Sequence, residues 1–162
     1  MKEIRIGLGF DSHPLRKKRK LIIGGVKIPF SYGLSGHSDA DILFHALSDA
    51  LLGSIGEYDI GYYFPDTDEK IKGLSSSIIL KEVYKKVKKK GYKIRNIDAV
   101  IIIDRPKIMP YISKMKENIL KILNVNKENI GIKAKTWEGF NFKDVVSCFC
   151  VVLIEKDDTI KR

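Results

Sequence analysis

The sequence predicts an α+β protein in which one sheet carries helices on one of its faces. Three observations point that way. Residues 4–10 alternate as a strand does, residues 100–103 form a continuous apolar run suited to a central strand over 98–104, and several later segments space their apolar residues three and four apart, as helices do. Strands and helices alternate irregularly, which suits a single sheet covered on one side. At 162 residues the chain is expected to be one domain, 1–162, with a polar tail from about 156.

The first strand, punctuated by Gly7 and Gly9, delivers Asp11-Ser12-His13-Pro14 at its end, and Pro14 is expected to stop it. The basic stretch 16–20 reads as an exposed loop. Residues 21–29 read as two short strands around the bend Gly24-Gly25. From Ser38 or Asp39 the period becomes helical, with Ile42, Leu43, Ala46, Leu47, Ala50 and Leu51 forming a stripe that ends near Gly53. A long irregular stretch, 53–73, holds Asp59-Ile60-Gly61 and Phe64-Pro65-Asp66-Thr67-Asp68, and loops of that length tend to be functional. Serines 75–77 offer a cap to a second helix whose apolar positions are Ile79, Val83, Tyr84 and Val87. Pro110 opens a third helix that runs to Leu123, and residues 130–135 and 145–154 supply the last two strands.

Composition narrows the function. No apolar run reaches the roughly 18 to 20 residues of a membrane span, and no secretory signal opens the chain, so a cytoplasmic protein is expected, with no membrane partner. The net charge of +10 attracts polyanions. Because 24 of the 30 cations are Lys, which lacks the planar fork of Arg, small phosphorylated molecules are favoured over nucleic acid. Cys148 and Cys150 lie in a Phe- and Val-rich strand and are expected to be buried, inert thiols. There is no nucleophile elbow, no Walker loop and no dinucleotide loop.

The chemistry-bearing residues cluster in the first third. Asp11 and His13 alternate along a strand, so their side chains share a face and can converge on one metal ion. His45, on the first helix, is a candidate third zinc ligand, and Asp41 or Asp49, one turn to either side, is placed to orient its imidazole. The same residues also read as a strand-end carboxylate and two ordinary polar histidines. His37-Ser38 stands where a helix N-terminus receives phosphate, or where Ser38 or Asp39 is only a cap. Asp66 and Asp68 suit a hard cation or a solvated turn.

Taken in order, Asp11-Ser12-His13, the run 22–29, His37-Ser38-Asp39-Ala40-Asp41, the run 45–53, Asp59-Ile60-Gly61 and Phe64-Pro65-Asp66-Thr67-Asp68 resemble the 2-C-methyl-D-erythritol 2,4-cyclodiphosphate synthases over about residues 4–155. The resemblance implies a ferredoxin-like α+β unit assembled as a homotrimer, with active sites between subunits. It implies Asp11, His13 and His45 as zinc ligands, Glu138 as ligand to a second divalent ion, Mg2+ or Mn2+, and His37 and Thr136 as supports of the transition state. The substrate contacts it implies are Ser38, then Asp59, Ile60 and Gly61 around the methylerythritol portion, and Phe64, Pro65, Asp66, Thr67 and Asp68 along the diphosphate. A cytidine pocket is implied at Ile103, Asp104, Arg105, Pro106, Lys107, Ile108, Met109, Ala134 and Lys135, and Trp137 and Phe142 are implied as further substrate contacts. The implied partner is a cytidine-diphosphate-linked small molecule, and the implied compartment is the bacterial cytoplasm, or a plastid in a plastid-bearing source.

This chain departs from the family after Glu138. Where relatives continue through a Gly-Phe-Thr-Gly-Arg-Gly-Glu-Gly type of run, it reads Gly139-Phe140-Asn141-Phe142-Lys143-Asp144, about three residues shorter and without the arginine. Lys135 and Trp137 also stand where threonines are common. Two competing classes remain at this point: another metal-dependent phosphohydrolase, which releases orthophosphate, and a Lys-rich nucleic-acid-binding module, whose affinity falls steeply with salt and ignores chelators.

Overall fold

From Gly7 onward the first strand, β1 (Ile4–Lys17), turns Gly7, Gly9, Asp11, His13 and Leu15 inward, whereas Ile4, Ile6, Leu8 and Phe10 face outward. The structure, a computed structural model, describes residues 2–36, 38–65, 67, 73–142 and 144–159. Strand β1 belongs to a five-stranded sheet ordered β4-β1-β7-β5-β6, with β4 at Tyr32–Leu34, β5 at Tyr92–Ile102, β6 at Ile130–Lys135 and β7 at Val145–Lys156. Every neighbouring pair is antiparallel except β5 and β6. That parallel pair needs a crossover, which α4 (Ile112–Leu123) supplies. A separate hairpin, β2 (Leu21–Ile23) and β3 (Val26–Ile28), turns through Gly24 and Gly25, both at positive φ, as a type I′ turn demands.

The helices lie on the inward face of the sheet, in agreement with the α+β expectation. Helix α1 (Ile42–Ser54) packs against β1 and β7, α3 (Ser76–Lys89) covers it from outside, and α4 packs beside α3 and against β6. Its residues are buried nearly all round; His45, Asp49 and Gly53, one turn apart from one another, form the stripe left partly open. Close approach of α1 to β1 requires glycine on the strand. A Cβ at Gly7 would overlap the Ala50 carbonyl oxygen, and one at Gly9 the Ala46 carbonyl oxygen. The core between the layers holds Phe44, Leu47 and Leu51 of α1, Val83 and Val87 of α3, Met115 and Ile119 of α4, and Val146, Cys148, Cys150, Val152 and Ile154 of β7. Burying each large apolar side chain contributes about 1.5–3 kcal/mol. Among the described residues no helix is long and apolar enough to cross a membrane.

Several local expectations are corrected. Pro14 does not stop β1. It stands where the strand changes partner, opposite Val145 at the end of β7, and the next residue, Leu15, donates its amide to Asp144 and then pairs with β4; a residue without an N–H is tolerated at such a junction. The first helix begins at Ile42 rather than at 38 or 39. Ala40 has φ 52, outside the helical region, and Asp41 is the cap, its carboxylate accepting from the amides of Leu43 and Phe44. Strand β5 starts at Tyr92, six residues before its expected start. Strand β4 and the single turn α2 (Ile60–Tyr63) were absent from the sequence reading, being too short to show a period.

Candidate active site

Because β1 and α1 touch backbone to backbone, the side chains that follow Gly7 and Gly9 on the same face reach His45. The Oδ2 atom of Asp11 lies 3.0 Å from His13 Nε2 and 3.0 Å from His45 Nδ1, and the three ligand atoms lie within 4.8 Å of one another. The side chains are 21, 20 and 12% exposed, sheltered but reachable. Burial opposes ionisation of Asp11, yet the two imidazoles outweigh it and hold its carboxyl well below the ordinary value. Burial likewise opposes protonation of His45, but Asp11 beside it, with Asp41 and Asp39 beyond, raises it. His13 Nε2 is buried and, despite its proximity to Asp11, has no hydrogen-bond partner. A buried imidazole nitrogen left without a partner beside a carboxylate and a second imidazole fits a divalent ion, and one carboxylate with two imidazoles is a donor set typical of catalytic zinc with an open position.

Neither Asp41 nor Asp49 orients His45, contrary to expectation. Asp41, fully buried, spends its carboxylate on the amides of Leu43, Phe44, Gly24 and Gly25, tying the hairpin to the helix start. Asp49 accepts from the amide of Ile60 at 2.8 Å, which fixes Asp59-Ile60-Gly61 against α1 one turn beyond His45. Instead the second nitrogen of His45, Nε2, meets Ser76 Oγ at 2.8 Å and Ser38 Oγ at 3.3 Å. Ser76 in turn donates its hydroxyl and its amide to Asp39. The serine cluster read as a cap therefore holds a residue of the site that the sequence reading missed. Ser75 does cap α3, accepting from the Ser77 amide.

The remaining candidates form a second group. Ile103, Asp104, Pro106, Lys107, Ile108, Met109, Ala134 and Lys135, together with Thr136 and Glu138, line a cavity of about 390 Å³ at the ends of β5 and β6. Arg105 is exposed beside it. Thr136 donates to Glu138 at 2.7 Å, Asp104 accepts from the Trp137 amide at 2.8 Å, and the rings of Trp137 and Phe142 pack 5.1 Å apart. Asp59 caps α2 through the Tyr62 amide, Phe64 donates its amide to the Ile60 carbonyl, and Pro65 and Thr67 are exposed. His37, Asp66, Asp68 and Lys143 lie outside the described residues. Neither Asp11, His13 nor His45 lines the cavity, so within one chain the Asp11–His13–His45 cluster and the cavity are two separate groups.

The sequence matches the YgbB family over residues 4–155. The chain belongs to the YgbB family. A YgbB-family relative from Carboxydothermus hydrogenoformans, named 2-C-methyl-D-erythritol 2,4-cyclodiphosphate synthase, is 50% identical over 156 residues, covering 94% of this chain and 96% of its own. A solved structure of a 2C-methyl-D-erythritol-2,4-cyclodiphosphate synthase in its CDP-bound form superposes with a TM-score of 0.88 at 38% identity, covering 93% of this chain and 99% of that one. The CDP complex of IspF from Plasmodium falciparum superposes with a TM-score of 0.85 at 33% identity, covering 98% and 99%.

Proposed function

We propose that this chain cyclises 4-diphosphocytidyl-2-C-methyl-D-erythritol 2-phosphate to 2-C-methyl-D-erythritol 2,4-cyclodiphosphate with release of CMP, a phosphorus–oxygen lyase step of non-mevalonate isoprenoid synthesis. The observation that carries this reading is the convergence of Asp11, His13 and His45, in a chain half identical to a synthase of that name. An oxygen of the 2-phosphate bonds to the β-phosphorus, the bond from that phosphorus to the bridging oxygen breaks, and CMP departs with the electron pair. A phosphate monoester has a second pKa of about 6, so the nucleophile is already ionised at neutral pH and no general base is needed. Ser76, the hydroxyl beside His45, is fully buried and donates to Asp39, so in this reading it serves as a support and not as a nucleophile.

The difficulty is bringing an anion onto an anionic phosphorus. In this reading Asp11, His13 and His45 would hold zinc and Glu138 a second ion, Mg2+ or Mn2+; bound there, they would supply Lewis-acid polarisation of the phosphoryl groups and offset the charge on the departing CMP. His37 and Thr136 steady the transition state. Asp59 to Gly61 orient the methylerythritol end and 64–68 the diphosphate, with Ser38 a further substrate contact. The cavity at 103–109 and 134–135 takes cytidine, and Trp137 and Phe142 are further substrate contacts. Since both reacting groups belong to one molecule, holding it bent supplies much of the roughly 7–11 kcal/mol available from proximity. The net charge of +10 suits capture of a polyanion.

We further read the chain as one catalytic domain, cytoplasmic and assembled as a homotrimer whose active sites lie between subunits. Two facts support the assembly: the metal cluster and the cavity are separate within one chain, and Ile4, Ile6, Leu8, Phe10, Phe149 and Val151 lie exposed on the sheet face away from the helices. The test is a product assay on the purified protein with the cytidyl substrate. One CMP released per cyclic diphosphate formed supports the reading; orthophosphate as the main product overturns it in favour of a hydrolase.

A further inference from the structure

Resting on the reading of Asp11, His13 and His45 as a metal centre, we propose that Ser76 and Asp39 form a hydroxyl–carboxylate relay that holds His45 as its Nε2–H tautomer and thereby tightens the centre's grip on its ion. Ser76 is fully buried at the start of α3, and its Oγ carries one proton. That proton goes to Asp39 Oδ1, whose carboxylate also takes the Ser76 amide and the Ser75 hydroxyl. The lone pairs of Ser76 Oγ are then what His45 Nε2 meets at 2.8 Å, so Nε2 must bring the hydrogen. Ser38 Oγ, 3.3 Å from the same nitrogen, accepts from the Ala40 amide and lies 3.5 Å from Ser76 Oγ, whose second lone pair can take the Ser38 proton, which leaves Nε2 to donate.

With its proton at Nε2, the neutral imidazole presents the lone pair of Nδ1 toward Asp11 Oδ2, which is where an ion shared with His13 would sit. A carboxylate behind the hydroxyl makes this imidazole a more basic ligand and removes the alternative tautomer, which would aim a hydrogen at the ion. Ser76 and Asp39 are positioning residues that act through His45. The relay also joins three separate pieces of chain, since Asp39 lies ahead of α1, His45 within it and Ser76 on α3.

The test is zinc affinity, measured on the full-length protein by competition with a chelating dye, for wild type, Ser76→Ala, Ser76→Thr and Asp39→Asn. Ser76→Ala is expected to weaken zinc binding by about 10- to 100-fold, the range typical of losing such an outer partner. Ser76→Thr, which keeps the hydroxyl, is expected to restore most of it, and Asp39→Asn to fall between. A second reading comes from ¹⁵N spectra of the metal-free protein at a pH where the imidazole is neutral: His45 is expected as the Nε2–H form in wild type and as a mixture in Ser76→Ala. Wild-type affinity and an unchanged tautomer in Ser76→Ala, or in Asp39→Asn should the alanine variant fail to fold, overturn the relay. A wild-type chain that binds no zinc overturns the metal centre itself and the relay with it, and so is told apart from failure of the relay alone.

Discussion

Asp11 Oδ2 and His45 Nδ1 lie 3.0 Å apart although 34 residues separate them in the chain. The strand supplies one, the helix the other, and glycines on the strand let the two backbones meet. If these atoms and His13 Nε2 bind one ion, His13→Ala and His45→Ala each lower zinc content and turnover by more than about 100-fold, because losing a ligand costs more than losing its outer partner. Metal analysis beside a steady-state assay checks this; wild-type zinc content in either variant contradicts it.

Gly9→Ala tests the contact that creates the site. The added methyl would collide with the Ala46 carbonyl, which is helix backbone and cannot swing aside. Overpacking of this kind costs about 1–3 kcal/mol or more, so denaturant midpoints should fall. Because α1 must move away from β1, zinc affinity should fall too. A variant as stable as wild type with unchanged zinc binding would show that the two elements have slack.

Asp41 gives a pH signature. Burial outweighs its backbone donors and raises its carboxyl to about 6, from an ordinary 3.8. Between those values the folded chain holds a proton that the unfolded chain has released, so this residue's contribution to stability declines as pH rises from about 4 to about 6, by at most about 3 kcal/mol. Unfolding free energies of wild type and Asp41→Asn, measured across that window, should differ by an amount that changes in this direction; a constant difference contradicts the assignment.

Cys148 and Cys150 point into the core from β7, and burial raises both thiols, Cys150 to about 12. Since the thiolate is the reactive form, a thiol-specific disulfide reagent at pH 8 should label neither in the native protein and both after denaturation. Rapid native labelling would contradict the packing of β7.

Much of this was legible in the sequence, for identifiable reasons. Alternation placed Asp11 and His13 on one face, and the stripe from Ile42 to Leu51 placed His45 on a helix. Sequence spacing had no means of finding that Ser76, 31 residues from His45, stands behind its ring; proximity created by packing α3 against α1 leaves no period to read. Asp41 and Asp49 satisfied the one-turn rule and still lost the role, because unpaired amides of Gly24, Gly25 and Ile60 claim them. The start of α1 moved for a local reason, the positive φ of Ala40.

The most direct test of the account is anomalous diffraction at the zinc edge from crystals of the zinc-loaded protein with CDP. The account predicts one peak enclosed by Asp11, His13 and His45, with a fourth position open toward a phosphoryl oxygen. No peak there, or one held by other residues, contradicts it.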